Sequence, residues 1–166
     1  MGIRIDHRNI ASICVVSRDG HCIVIQRPEN DPGVFGKEYP FELPSGGCDR
    51  WESPKRAAVR EASEEIGLII KRADLVPVSR ALDVNVEYKR DGSKVVTIRL
   101  VHRYAVFRPE NHETLLDQVQ LSEEHVKKLA LPIEEEVLRN CRGLPDVFQS
   151  FALEARKIGK RLGKLN

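Results

Sequence analysis

Gly46-Gly47-Cys48-Asp49-Arg50-Trp51-Glu52, Ser53 to Val59, then Arg60-Glu61-Ala62-Ser63-Glu64-Glu65-Ile66-Gly67-Leu68 is the most informative stretch of the chain. Pro54 to Ile66 reads as a helix, with Ser53 as N-cap, Pro54 at the first helical position and Gly67 as the stop. Ala58, Val59, Ala62 and Ile66 fall within roughly one 100° arc at the helical period, so one face packs on a core. Glu61, Glu64 and Glu65 stand at i, i+3 and i+4, which puts three carboxylates on one helix face. Such like charges destabilise a bare helix by a few tenths of a kcal/mol per pair, and the C-terminal end of the macrodipole disfavours anions as well. Something must compensate them.

Hard divalent cations take oxygen ligands, and Mg²⁺ is typically held by a few carboxylates together with substrate phosphates and water. The glutamate face therefore suits a site that binds Mg²⁺ with a pyrophosphate, where the metal neutralises phosphate oxygens and activates water. For three glutamates alone, a solvated acidic face would be the better account. The neighbours shift the balance. Gly46-Gly47 permits a tight loop whose backbone approaches a ligand closely, and Arg60 can hold an adjacent carboxylate by a charged fork.

Residues 46 to 68 resemble the Nudix box, the signature of the Nudix hydrolase family. Gly46, Glu52, Arg60, Glu61, Glu64, Glu65 and Gly67 match its fixed positions, and Ala62 and Leu68 stand at the aliphatic ones. With a frequency of roughly 0.07 per fixed residue, a chance match is about 10⁻⁸ per register. The resemblance implies that Glu61, Glu64 and Glu65 ligate Mg²⁺ or Mn²⁺, one of them serving as base, and that the Ser45 carbonyl completes the metal shell. It implies that Arg60, with Glu52 as partner, positions the glutamates, and that Gly46 and Gly67 are structural. Two residues depart from the common pattern. Ala62 is small for its slot, and Trp51 stands where many relatives have Gly; we read Trp51 as a core or loop anchor rather than a base-stacking platform.

Outward from the box, Ala11 to Val16 and Cys22 to Gln26 are apolar runs joined at Asp19-Gly20, a hairpin, followed by a Pro- and Gly-rich loop from Arg27 to Pro40. Leu75 to Glu87 and Val95 to Phe107 read as a second hairpin turning at Asp91-Gly92. A helix begun by Ser122 is expected to reach Leu129, and another covers Pro145 to about Ile158. Two hairpins with helices around them predict an α/β (α+β) layered domain with a mixed β-sheet, which fits the α/β/α sandwich of the Nudix family. Residues 1–166 read as a single domain ending in a basic C-terminal tail from about Arg156 to Lys164, most simply a solvated helix end.

The family pattern also draws attention to Arg27 and Glu42 as substrate-binding residues, since Gln26-Arg27 ends a strand and Phe41-Glu42-Leu43-Pro44 enters the box. A further acid after the box serves some relatives, which singles out Glu113, with Glu110 and Asp117 beside it, although an exposed acidic loop accounts for any one of them. His102, His112 and His125 show no ligand spacing and read as ordinary surface or strand residues. The family's proline mark for ADP-ribose and tyrosine mark for diadenosine polyphosphates fall near Asp83 to Val86, and neither is met: Pro77 is too early and Tyr88 too late.

With 27 Lys and Arg against 25 Asp and Glu, the net charge of +2 supports neither a large nucleic-acid surface nor a membrane-binding one. Capped RNA stays open as a substrate, and so does a homodimer. No apolar run approaches the ~18 residues that span a bilayer. The cysteines Cys14, Cys22, Cys48 and Cys141 form no CxxC pair and no secretory leader precedes them, so a cytoplasmic protein with free thiols is expected. The expected activity is metal-dependent hydrolysis, with Mg²⁺ or Mn²⁺, of a phosphoanhydride in a nucleoside diphosphate linked to another group. A non-catalytic nucleotide-sensing or protein-binding Nudix module and an isoprenoid diphosphate isomerase are the alternatives. The complete glutamate set argues against the first; the second would need a dedicated cysteine and acid, and the complete hydrolase box argues against it.

Overall fold

The computed structural model describes residues 3–30, 38–88 and 93–165. Its centre is a seven-stranded mixed sheet of β1 (Ile3–Val16), β2 (His21–Gln26), β3 (Phe41–Glu42), β4 (Ser45–Gly47), β5 (Val76–Tyr88), β6 (Lys94–Phe107) and β7 (Lys127–Pro132). The main path runs β3-β2-β1-β6-β5, with β4 on β1 and β7 on β2. β1 and β6 are parallel along their whole length, and the other pairs are antiparallel.

Alternation along the strands divides the core in two. Ala11, Ile13, Val15, Ile23 and Ile25 point to one face, where α1 (Pro54–Ile66) lays Ala57, Ala58, Ala62 and Ile66 on them. Cys14, Val16, Cys22 and Val24 point to the other, where α4 (Asp146–Arg161) covers them with Phe148, Phe151, Ala152 and Ala155. A sheet covered by helices on both faces is the layered α/β/α arrangement expected.

One detail of the sheet makes the site. The hairpin partners β1 and β2 are in register only at Val16↔Cys22 and then diverge. The gap is filled by the short segment that precedes α1: Phe41–Glu42 pairs with β2, and Ser45–Gly47 pairs with Ser12, Ala11 and Ile10 of β1. Glu42 and Ser45 thereby line a slot in the middle of the sheet, above the C-terminal half of α1.

α1 has the predicted bounds: Ser53 Oγ accepts from the Arg56 amide, and Gly67, at φ +65°, ends it. A Cβ on Gly67 would crowd Gln120, so the backbone and the neighbour both demand glycine here. Both hairpin readings hold, β1 beginning earlier, at Ile3. Residues 31–37 of the Pro/Gly loop and the Asp91-Gly92 turn lie outside the described residues.

The segment after β6 differs from expectation. Pro109 to Gln118 is not an acidic loop: it contains α2 (His112–Gln118), capped by Asn111 Oδ1 accepting from the Thr114 amide and anchored by buried Leu115. Ser122 to Leu129 is not a helix: Ser122 opens a single turn, and Lys127 to Pro132 pairs with the entire length of β2. Pairing with an open sheet edge, with Ala130 on one core and Leu129 and Leu131 on the other, overrides the local helix signal. A short α3 (Glu135–Asn140) follows. The basic stretch from Arg156 forms the last turns of α4, a helix end with Lys157, Lys160 and Arg161 exposed, while Gly159 is buried against Phe107 and Leu165 and Arg156 donates to the Ile133 carbonyl.

Candidate active site

Glu61 and Glu65, one helical turn apart on α1, both point at the slot and are buried, 9% and 6% exposed. Glu64 stands out in solvent with its side chain 58% exposed. The three carboxylates therefore divide into two buried and one at the rim. Glu65 Oε2 accepts from the Ser45 amide at 2.8 Å. Gly46 lies so close to Glu61 that a Cβ there would overlap its carboxylate. The second glycine of the pair, Gly47, meets no such obstacle.

Burial raises the pKa of both. Glu65 is pushed up to about 8 by desolvation, with the Ser45 amide opposing and the nearby Glu42 and Glu61 adding to it. Desolvation raises Glu61 as well, against the pull of Arg60. Two carboxylates that are costly to ionise, faced by backbone with no room for a side chain, are a donor set that suits a hard divalent cation.

Arg60 organises the rim. Its Nη1 reaches Glu61 Oε1 at 2.6 Å and Glu64 Oε2 at 2.8 Å, its Nε and Nη2 grip Glu52 at 3.2 and 3.0 Å, and Nη2 also donates to the Gly47 carbonyl at 2.8 Å. Glu52, lowered in pKa chiefly by Arg60, accepts from the Asp49 amide too and so closes the loop entering the helix. The predicted Arg60–Glu52 pairing is present.

Trp51 is not a core or loop anchor. It is 89% exposed, with Arg50 stacked on its ring, and its φ of +69° is left-handed. The common glycine of this slot has the physical reason that the turn needs a positive φ. Trp51 adopts it with the indole turned to solvent.

On the other side of Glu65 lies a polar group that sequence reasoning only half found. Glu42 Oε1 accepts from Arg27 Nε at 2.6 Å and sits 3.1 Å from His125 Nε2, while His125 Nδ1 lies 3.0 Å from Ser122 Oγ. His125, far from an ordinary surface histidine, has a fully buried side chain, 3.9 Å from Glu65 Oε1. Glu42, Glu65 and His125 each bring a ligand atom within 4.8 Å of the others. The signal for His125 is absent from sequence spacing because the turn carrying it is placed by tertiary bonds: the Gln120 and Ser122 amides donate to the Ile66 and Glu65 carbonyls at the end of α1.

The later acids are not brought in. Glu113 is exposed on the first turn of α2, Glu110 pairs with Arg108 at 3.1 Å, and no contact joins Glu113 or Asp117 to the glutamate cluster among the described residues.

The NUDIX domain family model matches residues 6–146, and the chain belongs to that family. In sequence it is 30% identical over 77 residues to an RNA pyrophosphohydrolase of Sphingopyxis alaskensis, an alignment spanning 46% of this chain and 45% of that protein. In fold it is similar to a MutT protein from Methanosarcina mazei Go1 (TM-score 0.56, 22% identity, 93% and 96% of the two chains) and to the E. coli ORF135 protein (TM-score 0.61, 19% identity, 95% and 94%). A MutT NUDIX hydrolase from Burkholderia pseudomallei superposes at a TM-score of 0.59 with 18% identity over 90% and 98% of the chains. At these identities the structures establish the fold.

Proposed function

We propose that this chain is a metal-dependent hydrolase that cleaves a phosphoanhydride bond in a nucleoside diphosphate linked to another group. The observation that carries this is the pair of buried carboxylates, Glu61 and Glu65, aimed at the Ser45–Gly47 backbone and pushed above the ordinary carboxylate range by a desolvation that Arg60, beside Glu61, offsets only in part. A binding module has no use for two such groups, whereas Mg²⁺ or Mn²⁺ held by Glu61 and Glu65, with Glu64 at the rim and the Ser45 carbonyl beside them, would neutralise the pyrophosphate.

The chain's own residues do the rest. Arg60 holds Glu61 and Glu64 in place and is itself saturated by Glu52 and Gly47, so it acts by positioning and not by touching substrate. Glu42 is fixed by Arg27 and His125, which leaves Arg27 as a link between the phosphate slot and the polar group behind it. One of the three glutamates would also take the proton from the attacking water. The free thiols of Cys14, Cys22, Cys48 and Cys141 support a reducing, cytoplasmic setting, and no helix of the described residues is long and apolar enough to cross a membrane.

The test is product release from a panel of ADP-ribose, nucleotide sugars, dinucleoside polyphosphates, capped RNA and modified dNTPs, with Mg²⁺ and with Mn²⁺, for wild type and the double variant Glu64→Gln, Glu65→Gln. Turnover of one class, absent from the double variant, is the expected result. Nucleotide binding with no cleavage of any member replaces the enzyme by a sensing module.

A further inference from the structure

The slot opens into a cavity of about 460 Å³ on the face of the sheet that α4 covers, reached from Ser45, Gly46 and Gly47. Strand register arranges its floor in rows. Ser45 of β4, Ser12 of β1 and Arg103 of β6 form one row, and two rows further along β1 and β6 come Arg8 and Arg99, with Asp83 of β5 beyond. Four residues along a strand separate the two cationic rows, about 13 Å.

Two features of the floor are unexplained by the fold. Ser12 is 1% exposed and its hydroxyl finds no hydrogen-bond partner among the described residues. A buried, orphaned hydroxyl is unfavourable unless a ligand meets it. Beside it Arg103 is partly buried, its guanidinium 5.6 Å over the Phe151 ring, with no hydrogen bond or ion pair among the described residues; burial works against its charge, and the Glu154 carboxylate on α4 offsets that only in part. In the outer row Arg8 and Arg99 are direct cross-strand neighbours of like charge, and Asp83, 3.1 Å away, answers only Arg99. The wall offers little for a base to stack on: Phe148 is its sole aromatic among the described residues and is 7% exposed.

We infer that this floor is a polyphosphate track, on which the Ser12 hydroxyl and the Arg103 guanidinium hold a phosphoryl group beside the glutamates while Arg8 and Arg99 hold further negative charge of the same ligand. The ligand class is a nucleotide with at least three phosphoryl groups in line, gripped by its phosphates and read weakly at its base. This deepens the hydrolase reading and rests on it for the position of the reacting bond, yet it is tested through binding.

Calorimetric titration with inorganic tripolyphosphate, pyrophosphate and adenosine in Ca²⁺ buffer isolates the contribution of the track. Tripolyphosphate is expected to bind wild type about tenfold or more tightly than pyrophosphate, with adenosine silent, as charge-assisted hydrogen bonds require. Arg103→Gln and Arg8→Gln should each erase most of that preference. Ser12→Ala should weaken tripolyphosphate while leaving the melting temperature unchanged or higher, because it removes an unpartnered hydroxyl; a merely structural serine would show the opposite. Equal binding of tripolyphosphate and pyrophosphate by wild type, or wild-type affinities in all three variants, overturns the track. Preference for tripolyphosphate without any hydrolysis would remove the enzyme reading alone, and hydrolysis without the preference would remove the track alone.

Discussion

The two sides of β4 carry opposite charge, and they were assembled by different means. On one side, Glu61, Glu64 and Glu65 come from a single helix turn, Arg60 holding the first two and the Ser45 amide the third, all within a few residues of one another. On the other, Ser12, Arg103, Arg8 and Arg99 come from two strands paired 91 positions apart, aligned by the parallel register of β1 and β6. Under the proposed function the anionic pole would hold a metal and the cationic pole phosphate, a pairing that suits pyrophosphate chemistry. Only the first pole is local in sequence.

Breaking the anionic pole has the largest expected effect. Glu65→Gln should lower kcat on any accepted substrate by about 10³ or more, beyond the roughly 10²-fold expected for losing one positioned hydrogen-bond donor on the cationic side. Steady-state kinetics of Glu65→Gln beside Arg103→Gln would measure the contrast, and equal losses would erase the distinction between the poles.

Next is the pH dependence of stability without metal. The folded-state pKa of Glu65, raised from its ordinary 4.5 to about 8, favours the protonated carboxyl, so its contribution is full below pH 4.5 and lost as pH rises through 8. The loss is of order 5 kcal/mol as an upper figure. Denaturant titrations in EDTA should show stability falling over that window, Glu65→Gln should flatten the fall, and saturating Mg²⁺ should restore most at the alkaline end. A flat profile in wild type would mean that Glu65 ionises without penalty.

Arg60→Ala should destabilise the metal-free protein by about 2 kcal/mol, because the part-buried carboxylates of Glu52 and Glu61 lose their partner. Arg60→Lys should recover little, since one ammonium cannot span Glu52, Glu61 and Gly47 together. The smallest effect is Trp51→Gly: relief of the left-handed backbone, set against the lost stacking with Arg50, should stabilise by about 0.5 kcal/mol, read as a small rise in denaturation midpoint.

What was readable in the sequence follows the same division between local and non-local. The helix Pro54–Ile66 and its caps, the Arg60–Glu52 pairing and both hairpins are decided by residues adjacent in the chain. Lys127 to Leu129, the end of the helix expected from Ser122, instead begin β7, because their strand character comes from the open edge of β2 and not from their own composition. α2 did carry a local mark, Asn111 before Glu113 and Leu115, which an acid-rich reading of the stretch obscured. His125 carried none: it reaches Glu42 across 83 residues through bonds between the end of α1 and the Gln120–Ser122 segment. Trp51 could have been foreseen, since a glycine slot in a tight turn is a request for positive φ before it is a request for small size.

The most direct test of the central claim is hydrolysis in ¹⁸O-labelled water, with Mg²⁺ or Mn²⁺, followed by mass spectrometry of the phosphorylated products of wild type and Glu65→Gln. The account predicts one labelled oxygen on one of the two products, dependent on the metal and absent from the variant. Unlabelled products, or label incorporated equally by the variant, would contradict it.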